Sequence, residues 1–242
     1  MTAIIDMHSH ILPGLDDGAS DIQESIMMLR QAHRQGITEV VATPHHSGQY
    51  QNICPDRIRT MCRRLQERAQ AELKTEMTIW PGQEIMYSEE ALSMLDQGNL
   101  LTIADSRYVL VEFMPTAPYS YIFRAVKDMI LAGYRPILAH AERYQALREN
   151  GRLEELKGQG AGIQLNFRSI GGGWYHETTR WCRKMLRKGI VDFLGTDMHN
   201  TRERSPETEN AAAWMERELD SRYRESVLMG NARQLLGKKK QE

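Results

Sequence analysis

Cysteine is scarce in this chain of 242 residues, and the three that are present, Cys54, Cys62 and Cys182, form no C-x-x-C pair. That number and spacing exclude a disulfide framework. An excess of basic charge is also missing, since 31 basic residues stand against 32 acidic ones. A general nucleic-acid or membrane surface depends on a basic excess, so any recognition of phosphate must be local.

Long apolar runs are absent as well, and the longest, such as residues 108–113, have only the length of a strand. A membrane-spanning helix needs about 20 apolar residues. The N-terminus lacks the basic start and the apolar core of a signal peptide. We therefore expect no membrane insertion and a cytoplasmic location.

One cysteine has the spacing of a catalytic thiolate. The segment from Cys62 to Arg68 matches C-x5-R, in which a thiolate and backbone amides hold phosphate, but it contains no glycine and follows Pro55 in a helix-like run. Inside a helix the backbone N–H groups already donate to helix carbonyls. We therefore reject cysteine catalysis.

Strand-like and helix-like segments alternate along the chain. Seven strands are predicted, at 4–7, 39–42, 77–80, 108–113, 136–139, 162–165 and 191–195. The predicted helices are at 21–35, from Pro55 onward, and at 88–98, 121–132, 153–157, 177–187 and 209–218. Ser20 and Gln23 are predicted to form a capping box at the first helix. Residues 234–242, which include three consecutive lysines, are predicted to form a solvated tail.

This alternation predicts an α/β fold with parallel strands and right-handed crossovers, either an open doubly wound sheet or a closed barrel. A chain of this length with 41% hydrophobic residues can bury one sizeable core. Candidate ligands favour the barrel, because all strand carboxyl ends meet there at one face. We predict a single barrel domain over residues 1–242.

Every predicted strand ends next to a side chain that can bind a metal ion. His8 and His10 alternate onto the same side of the first strand, so both imidazoles can reach one ion. The other strand-end residues are His45 with His46, Glu84, Glu112, His140, Asn166, and Asp197 with His199, and Asp17 adds a carboxylate from the loop after the first strand. Burying several acids without a cation would cost several kcal/mol each, so the recurrence predicts a shared metal site.

The donor set contains imidazole and carboxylate but no thiolate, which suits Mn²⁺, Fe²⁺ or Zn²⁺. More than four ligands imply more than one ion. Of the adjacent Asp16 and Asp17, we favour Asp17 as the ligand and expect Asp16 to hydrogen-bond the loop. Asp6 is expected to orient an imidazole from behind.

These segments resemble the polymerase-and-histidinol-phosphatase (PHP) family of metal-dependent phosphoesterases. Within it they are most similar to the bacterial tyrosine-protein phosphatases encoded with capsule and exopolysaccharide genes, the CpsB/CapC type. The matching segments span residues 4–206: IIDMHSHILPGLDDGA, ATPHHSG, PGQEIMY, DSRYVLVEF, PILAHAERY, and GTDMHN followed by Arg204 and Pro206. The resemblance implies the PHP fold, a distorted TIM-like (β/α)7 barrel, which agrees with the seven units counted above.

The resemblance also implies a site for three divalent ions, with Mn²⁺ as the first choice and Fe, Zn, Co or Mg as alternatives. In that scheme His8, His10, Glu84 and Asp197 hold one ion, Glu84, Glu112 and His140 hold a second, and Asp17, His45 and His199 hold the third. Arg143 and Arg204 match family positions that bind substrate phosphate, a task that suits the guanidinium group.

The function that follows is metal-dependent hydrolysis of phosphoric monoesters, with hydroxide held by the ions as the nucleophile. The resemblance implies a protein-tyrosine phosphatase that acts on the tyrosine-rich tail of a bacterial tyrosine autokinase and so regulates capsule or exopolysaccharide synthesis. The balanced charge predicts no nucleic-acid partner. Some family members assemble into rings, so a homo-oligomer stays open.

Three other functions also stay open. A small-molecule phosphomonoesterase, such as a histidinol-phosphate phosphatase, would share every proposed ligand. An amidohydrolase would not use Asp17, His45 and Glu112 together. A catalytically silent metal-binding interaction module would have no need for Arg143 and Arg204.

Overall fold

Parallel β-strands form the centre of the protein in a computed structural model that describes residues 3–50 and 53–237. The strands are β1 (Ile4–Ser9), β2 (Ile37–Ala42), β3 (His45–His46), β4 (Thr78–Pro81), β5 (Glu84–Met86), β6 (Tyr108–Glu112), β7 (Arg135–Leu138), β8 (Gly162–Asn166) and β9 (Phe193–Gly195). One sheet has the order β1-β2-β4, and the other has the order β3-β5-β6-β7-β8-β9. Only two residues separate β2 from β3, and only two separate β4 from β5, so each pair continues one strand. Counted in this way, the described residues contain seven strands, as predicted.

The last strand meets the first at their carboxyl ends. Ser9 forms a parallel bridge with Met198, the backbone N–H of His10 donates to Met198 O over 2.9 Å, and that of Asp197 donates to His8 O over 2.8 Å. These contacts join the two ends of the curled sheet. The predicted α/β barrel is therefore confirmed.

Helices follow the strands and cover the outside of the sheet. They are α1 (Ile22–Arg34), α2 (Pro55–Leu73), α3 (Glu89–Asp96), α4 (Tyr119–Leu131), α5 (Arg152–Gln159), α6 (Phe167–Gly171), α7 (Glu177–Arg187), α8 (Glu209–Glu218), α9 (Ser221–Glu225) and α10 (Asn231–Leu236). Their start signals are local: Pro55 occupies the first turn of α2, and the Ser88 hydroxyl accepts a hydrogen bond from the N–H of Ala91 at the start of α3. No helix in the described residues is long and apolar enough to cross a membrane.

The predicted capping box at α1 is wrong by one residue. Asp21 is the cap, and its carboxylate accepts hydrogen bonds from the N–H groups of Gln23 and Glu24, each at 2.9 Å. Ser20 instead donates its hydroxyl to the carboxylate of Glu24 over 2.7 Å. A carboxylate is a favoured cap, and its negative charge also interacts favourably with the positive end of the helix dipole.

The predicted solvated tail is also wrong at its start. Leu235 and Leu236 lie in α10 with 3% and 6% of their surface exposed, and they belong to the buried cluster inside the barrel that contains Ile5 and Phe193. Burial of apolar side chains such as this leucine pair stabilises the folded state. The rest of the predicted tail, from residue 238 onward, lies outside the described residues.

The segment with the C-x5-R spacing is helical, as predicted. Cys62 lies within α2 with 2% of its surface exposed, and burial raises the pKa of its thiol to about 12. A thiol in this environment stays protonated at neutral pH, so it cannot act as a nucleophile.

Candidate metal centre

The predicted ligands lie together at the carboxyl ends of the strands. Four sets of His, Asp and Glu side chains have ligand atoms within 4.8 Å of one another. The sets are His8, His10 and Asp197; His8, Glu84 and His140; His45, Glu84 and Glu112; and His10, Asp17, His45 and His199. All nine side chains that the sequence pointed to are therefore part of one cluster.

A β-bulge in β1 turns His8 toward this cluster, and His10 follows just after the end of the strand. In the pairing with β2, Asp6 lies opposite Val40 and Ser9 lies opposite Ala42, so three steps along β1 match two along β2. Met7 packs inside the barrel, and strict alternation would then turn His8 to the opposite face. The extra residue changes the phase of the strand, as bulges beside active sites commonly do.

Glu84 is at the centre of the cluster and is fully buried. Its Oε2 lies 3.0 Å from His8 Nε2, 3.3 Å from His10 Nε2 and 3.1 Å from His45 Nδ1, while its Oε1 lies 2.8 Å from His140 Nε2. Burial alone would raise the pKa of this carboxyl, but the surrounding imidazoles hold it well below its usual range. One carboxylate thus faces four histidines.

Asp197 and Glu112 extend the cluster on either side of Glu84. Asp197 Oδ1 lies 3.6 Å from His8 Nε2 and 3.5 Å from His10 Nε2, and these two ring nitrogens are 3.1 Å apart. Glu112 lies 3.3 Å from His45 Nδ1 and 3.7 Å from His140 Nε2. Each of the three carboxylates, Glu84, Asp197 and Glu112, therefore lies close to at least two imidazole nitrogens.

Asp17 forms the open edge of the cluster. Its Oδ1 lies 3.4 Å from His45 Nε2 and 3.5 Å from His199 Nε2, and 48% of its side chain is exposed. Hydrogen bonding to His199 and His45 lowers the pKa of Asp17. Burial, together with the neighbouring His10, lowers the pKa of His199 to about 4, so this imidazole is neutral at pH 7 and can offer a lone pair.

Several of the histidines are held from behind by a second group. Asp16 Oδ2 lies 2.7 Å from His10 Nδ1 and also accepts the backbone N–H of His45, so Asp16 orients the ligands while Asp17 faces the cluster. Tyr144 Oη lies 3.5 Å from His140 Nδ1, and the backbone carbonyl of Asp197 lies 2.9 Å from His199 Nδ1. Such contacts fix the ring orientation of metal-binding histidines.

The expected role of Asp6 is wrong. Its buried carboxylate accepts hydrogen bonds from the N–H and hydroxyl of Thr196 and from the backbone N–H of His8, and it contacts no imidazole. Burial raises its pKa to about 6. Asp6 therefore joins the backbones of β1 and of the segment after β9, because its side chain points toward the last strand.

The cluster leaves buried polar atoms without hydrogen-bond partners, namely Glu84 Oε2, His45 Nδ1 and His199 Nε2. Native proteins rarely leave such atoms unpaired. Each lies among other nitrogen and oxygen donors, which is the environment that a divalent cation requires. The residues present therefore fit a metal site.

Two arginines lie beside the cluster and share Asp197. Arg143 Nη2 contacts Asp197 Oδ2, and Arg204 Nη2 lies 3.0 Å from Asp197 Oδ1. Their side chains are 42% and 38% exposed, so both guanidinium groups can reach a ligand from solvent. Burial would raise the pKa of Asp197, but His8, His10 and Arg143 keep it well below its usual range.

The backbone is unusual at three positions of the site, His140, Asp197 and Gly195. His140 and Asp197 both have left-handed backbone angles, with φ of 33° and 53°, and such a conformation costs about 1–3 kcal/mol in a residue other than glycine. Gly195 lies against His8, since a Cβ at this position would be 2.6 Å from His8 Cβ. Backbone strain at two ligands is common at functional sites, where surrounding contacts maintain it.

The sequence reasoning missed Gln164 and Tyr144 and counted Asn166 among the strand-end side chains that can bind a metal ion. In the structure Asn166 donates to Asp197 Oδ2 over 3.1 Å. A signal for Gln164 was available, because it precedes Asn166 by two residues and therefore shares its face of β8. Tyr144 follows His140 by four residues through a short 3₁₀ turn, which the sequence did not indicate.

The profile of the family described as "Capsular polysaccharide synthesis, CpsB/CapC" matches residues 4–237. The chain belongs to the CpsB/CapC family. This confirms the predicted resemblance.

Curated members of the CpsB/CapC family align with nearly the whole chain. Tyrosine-protein phosphatase YwqE of Bacillus subtilis is 35% identical over 224 residues, which cover 90% of this chain and 86% of YwqE. Tyrosine-protein phosphatase CpsB of Streptococcus pneumoniae is 29% identical over 239 residues, which cover 96% of this chain and 98% of CpsB.

A crystal structure from the study of YwqE and CpsB superposes with a TM-score of 0.89 at 33% identity. The superposition covers 98% of this chain and 96% of that chain, and the study describes the two proteins as unique metal-dependent tyrosine phosphatases.

Proposed function

We propose that this protein is a metal-dependent protein-tyrosine phosphatase. One observation carries the proposal. A buried cluster of imidazoles and carboxylates lies next to two half-exposed guanidinium groups, those of Arg143 and Arg204, which both contact Asp197 of the cluster. Membership of a family whose curated members are named tyrosine-protein phosphatases supports the same conclusion.

We propose three ions for the cluster, bound as the resemblance implies. His8, His10, Glu84 and Asp197 hold the first, Glu84, Glu112 and His140 hold the second, and Asp17, His45 and His199 hold the third. Glu84 would be shared between the first two ions, and its contacts with His8, His10 and His140 support this role. The mixed nitrogen and oxygen donors suit Mn²⁺, Fe²⁺ or Zn²⁺. We propose Mn²⁺ as the first choice, as the resemblance implies, with Fe, Zn, Co or Mg as alternatives.

Divalent cations bound here would supply Lewis acidity, which lowers the pKa of water from 15.7 toward about 7 and neutralises phosphoryl oxygens. Arg143 and Arg204 bind the phosphoryl oxygens, exchanging their contacts with Asp197 for bidentate contacts with the substrate. Asp16 and Tyr144 keep the imidazoles aligned during turnover. No side chain of the cluster needs to act as a covalent nucleophile.

Hydrolysis of phosphotyrosine needs little general-acid catalysis from this site. The leaving phenol has a pKa near 10, so the phenoxide departs with little help from a general acid. We propose the tyrosine-rich tail of a bacterial autokinase of capsule or exopolysaccharide synthesis as the substrate, in the cytoplasm.

A substrate panel after metal removal tests this proposal. The protein is treated with EDTA, reloaded with Mn²⁺, Fe²⁺, Zn²⁺, Co²⁺ or Mg²⁺ separately, and assayed with a phosphotyrosine peptide, a phosphoserine peptide and histidinol phosphate. We expect the phosphotyrosine peptide to be cleaved fastest and only after reloading. Faster cleavage of histidinol phosphate would instead support the small-molecule alternative.

A further inference from the structure

Gln164 is a fully buried amide within β8 that contacts two of the proposed ligands at once. Its Oε1 lies 2.7 Å from the backbone nitrogen of His140 and 3.2 Å from Nδ1 of His8. We propose that Gln164 is a positioning residue, which fixes the ring of His8 and the backbone of His140 so that both Nε2 atoms face Glu84. The inference rests on the proposed metal centre and adds a residue to its support.

The orientation of the Gln164 amide follows from its partners. The backbone N–H of His140 can only donate, so the atom that faces it must be the carbonyl oxygen. The amide nitrogen then donates to Asn166 Oδ1 over 2.9 Å. Both ends of the amide are therefore committed, and the group cannot flip without losing two hydrogen bonds.

This orientation determines which nitrogen of His8 carries the proton. Because Gln164 Oε1 is an acceptor, His8 Nδ1 must be the donor, and the neutral ring then has its lone pair on Nε2. That atom lies 3.0 Å from Glu84 Oε2 and 3.1 Å from His10 Nε2. Gln164 thus selects the tautomer of His8 that can bind a cation inside the cluster.

The same oxygen supports the strained backbone of His140. This residue has a φ of 33°, and the hydrogen bond from its N–H to Gln164 compensates part of the cost of that conformation. His140 Nε2 then lies 2.8 Å from Glu84 Oε1. Without the acceptor, the N–H would be buried and unpaired, and the backbone would be free to relax away from the cluster.

The amide nitrogen extends the support to a third ligand. By donating to Asn166 Oδ1, Gln164 turns the Asn166 amide so that its Nδ2 donates to Asp197 Oδ2 over 3.1 Å. One neutral side chain therefore links the ends of β1, β7 and β9 through His8, His140 and Asp197. Gln164 therefore contacts two proposed ligands directly and supports a third through Asn166.

Two variants separate the acceptor from the volume of the side chain. Gln164→Met keeps the length and removes the acceptor, whereas Gln164→Glu keeps an oxygen toward His8 and His140. We expect Gln164→Met to weaken binding of Zn²⁺ about 10–100-fold, the usual cost of losing such a contact. We expect Gln164→Glu to retain most of the wild-type affinity. Affinity is measured by competition with a chromophoric chelator, without any activity assay.

The ring proton of His8 gives a second readout that a structural role would not move. Long-range ¹H–¹⁵N spectra of the Zn²⁺-loaded protein, labelled with ¹⁵N-histidine, report which nitrogen carries it. We expect a hydrogen-bonded Nδ1 proton in wild type and in Gln164→Glu, and its loss or exchange broadening in Gln164→Met. If Gln164→Met is not recovered folded, Gln164→Asn retracts the carbonyl by one methylene, and the same results are expected.

Gln66→Met is the matched control, because Gln66 also accepts a backbone N–H, that of Ile79 over 2.8 Å, but lies on α2 away from the cluster. It should leave both Zn²⁺ affinity and the His8 spectrum unchanged. Zn²⁺ affinity of Gln164→Met equal to that of Gln66→Met would overturn the inference. Wild-type protein that binds no divalent cation would instead contradict the proposed metal centre itself.

Discussion

Replacing Arg143 with alanine removes one of the two guanidinium groups beside the cluster and tests the proposed phosphate site directly. A hydrogen bond to a charged group contributes about 1.5–3 kcal/mol. Since about 1.4 kcal/mol corresponds to a factor of ten in rate, kcat/KM for a phosphotyrosine peptide should fall about 10–150-fold.

Metal binding should survive this substitution. Arg143 contacts Asp197 Oδ2, but Asp197 keeps its contacts with Arg204 at 3.0 Å and with Asn166 at 3.1 Å. The carboxylate therefore stays in place when Arg143 is removed. We expect the number of bound ions per chain, measured by elemental analysis, to equal that of wild type.

The assay measures kcat and KM at saturating metal with the same peptide. Arg124→Ala is the control, because Arg124 is an exposed arginine that pairs with Glu89 at the surface. Arg143→Lys should recover only part of the loss, since lysine keeps the charge but not the planar pair of donors. Equal kcat/KM values for Arg143→Ala and Arg124→Ala, with full metal content in both, would refute the role of Arg143.

Four further results are expected. Glu84→Gln should reduce the number of bound ions per chain in elemental analysis, because it removes the charge that faces four imidazoles; unchanged metal content would contradict the bridging role. Gly195→Ala should destabilise the fold by about 1–3 kcal/mol in urea unfolding, because its Cβ would meet His8 at 2.6 Å, whereas Gly158→Ala, with open space around it, should not. Leu235→Ala should lower the free energy of unfolding by about 2–5 kcal/mol in the same assay, and a change near zero would mean that Leu235 does not pack in the barrel interior. EDTA should lower the melting temperature, since cations at 100 times their Kd stabilise the folded state by about 2.7 kcal/mol; identical melting with and without EDTA would argue against a metal centre.

The barrel and the membership of the cluster were predictable from the sequence for one physical reason. Parallel strands joined by helices bring their carboxyl ends to one face, so residues as distant as His8 and Asp197 had to lie near each other. The strand order needed no further information once β2 with β3, and β4 with β5, are counted as one strand each, because each of the seven then lies beside the next one in the chain.

Features that depend on local register and on three-dimensional packing were not predictable from the sequence. The β1 bulge shifts the register of the strand between Asp6 and Ser9, and no residue type marks its position. The contacts of Gln164 and Tyr144 depend on side chains that converge from separate turns. Burial of Leu235 also depends on the space left inside the barrel. The assignment of residues 1–242 to one domain stays a prediction.

The junction between β1 and β9 has a consequence for synthesis of the protein. The proposed donors begin at His8 and end at His199, and the contacts that close the barrel join the same two regions. A nascent chain leaves the ribosome with its N-terminus first, and domains generally fold as units. No ribosome-bound fragment that lacks the residues around Asp197 can assemble the complete cluster, so full loading with cations must follow translation of nearly the entire chain.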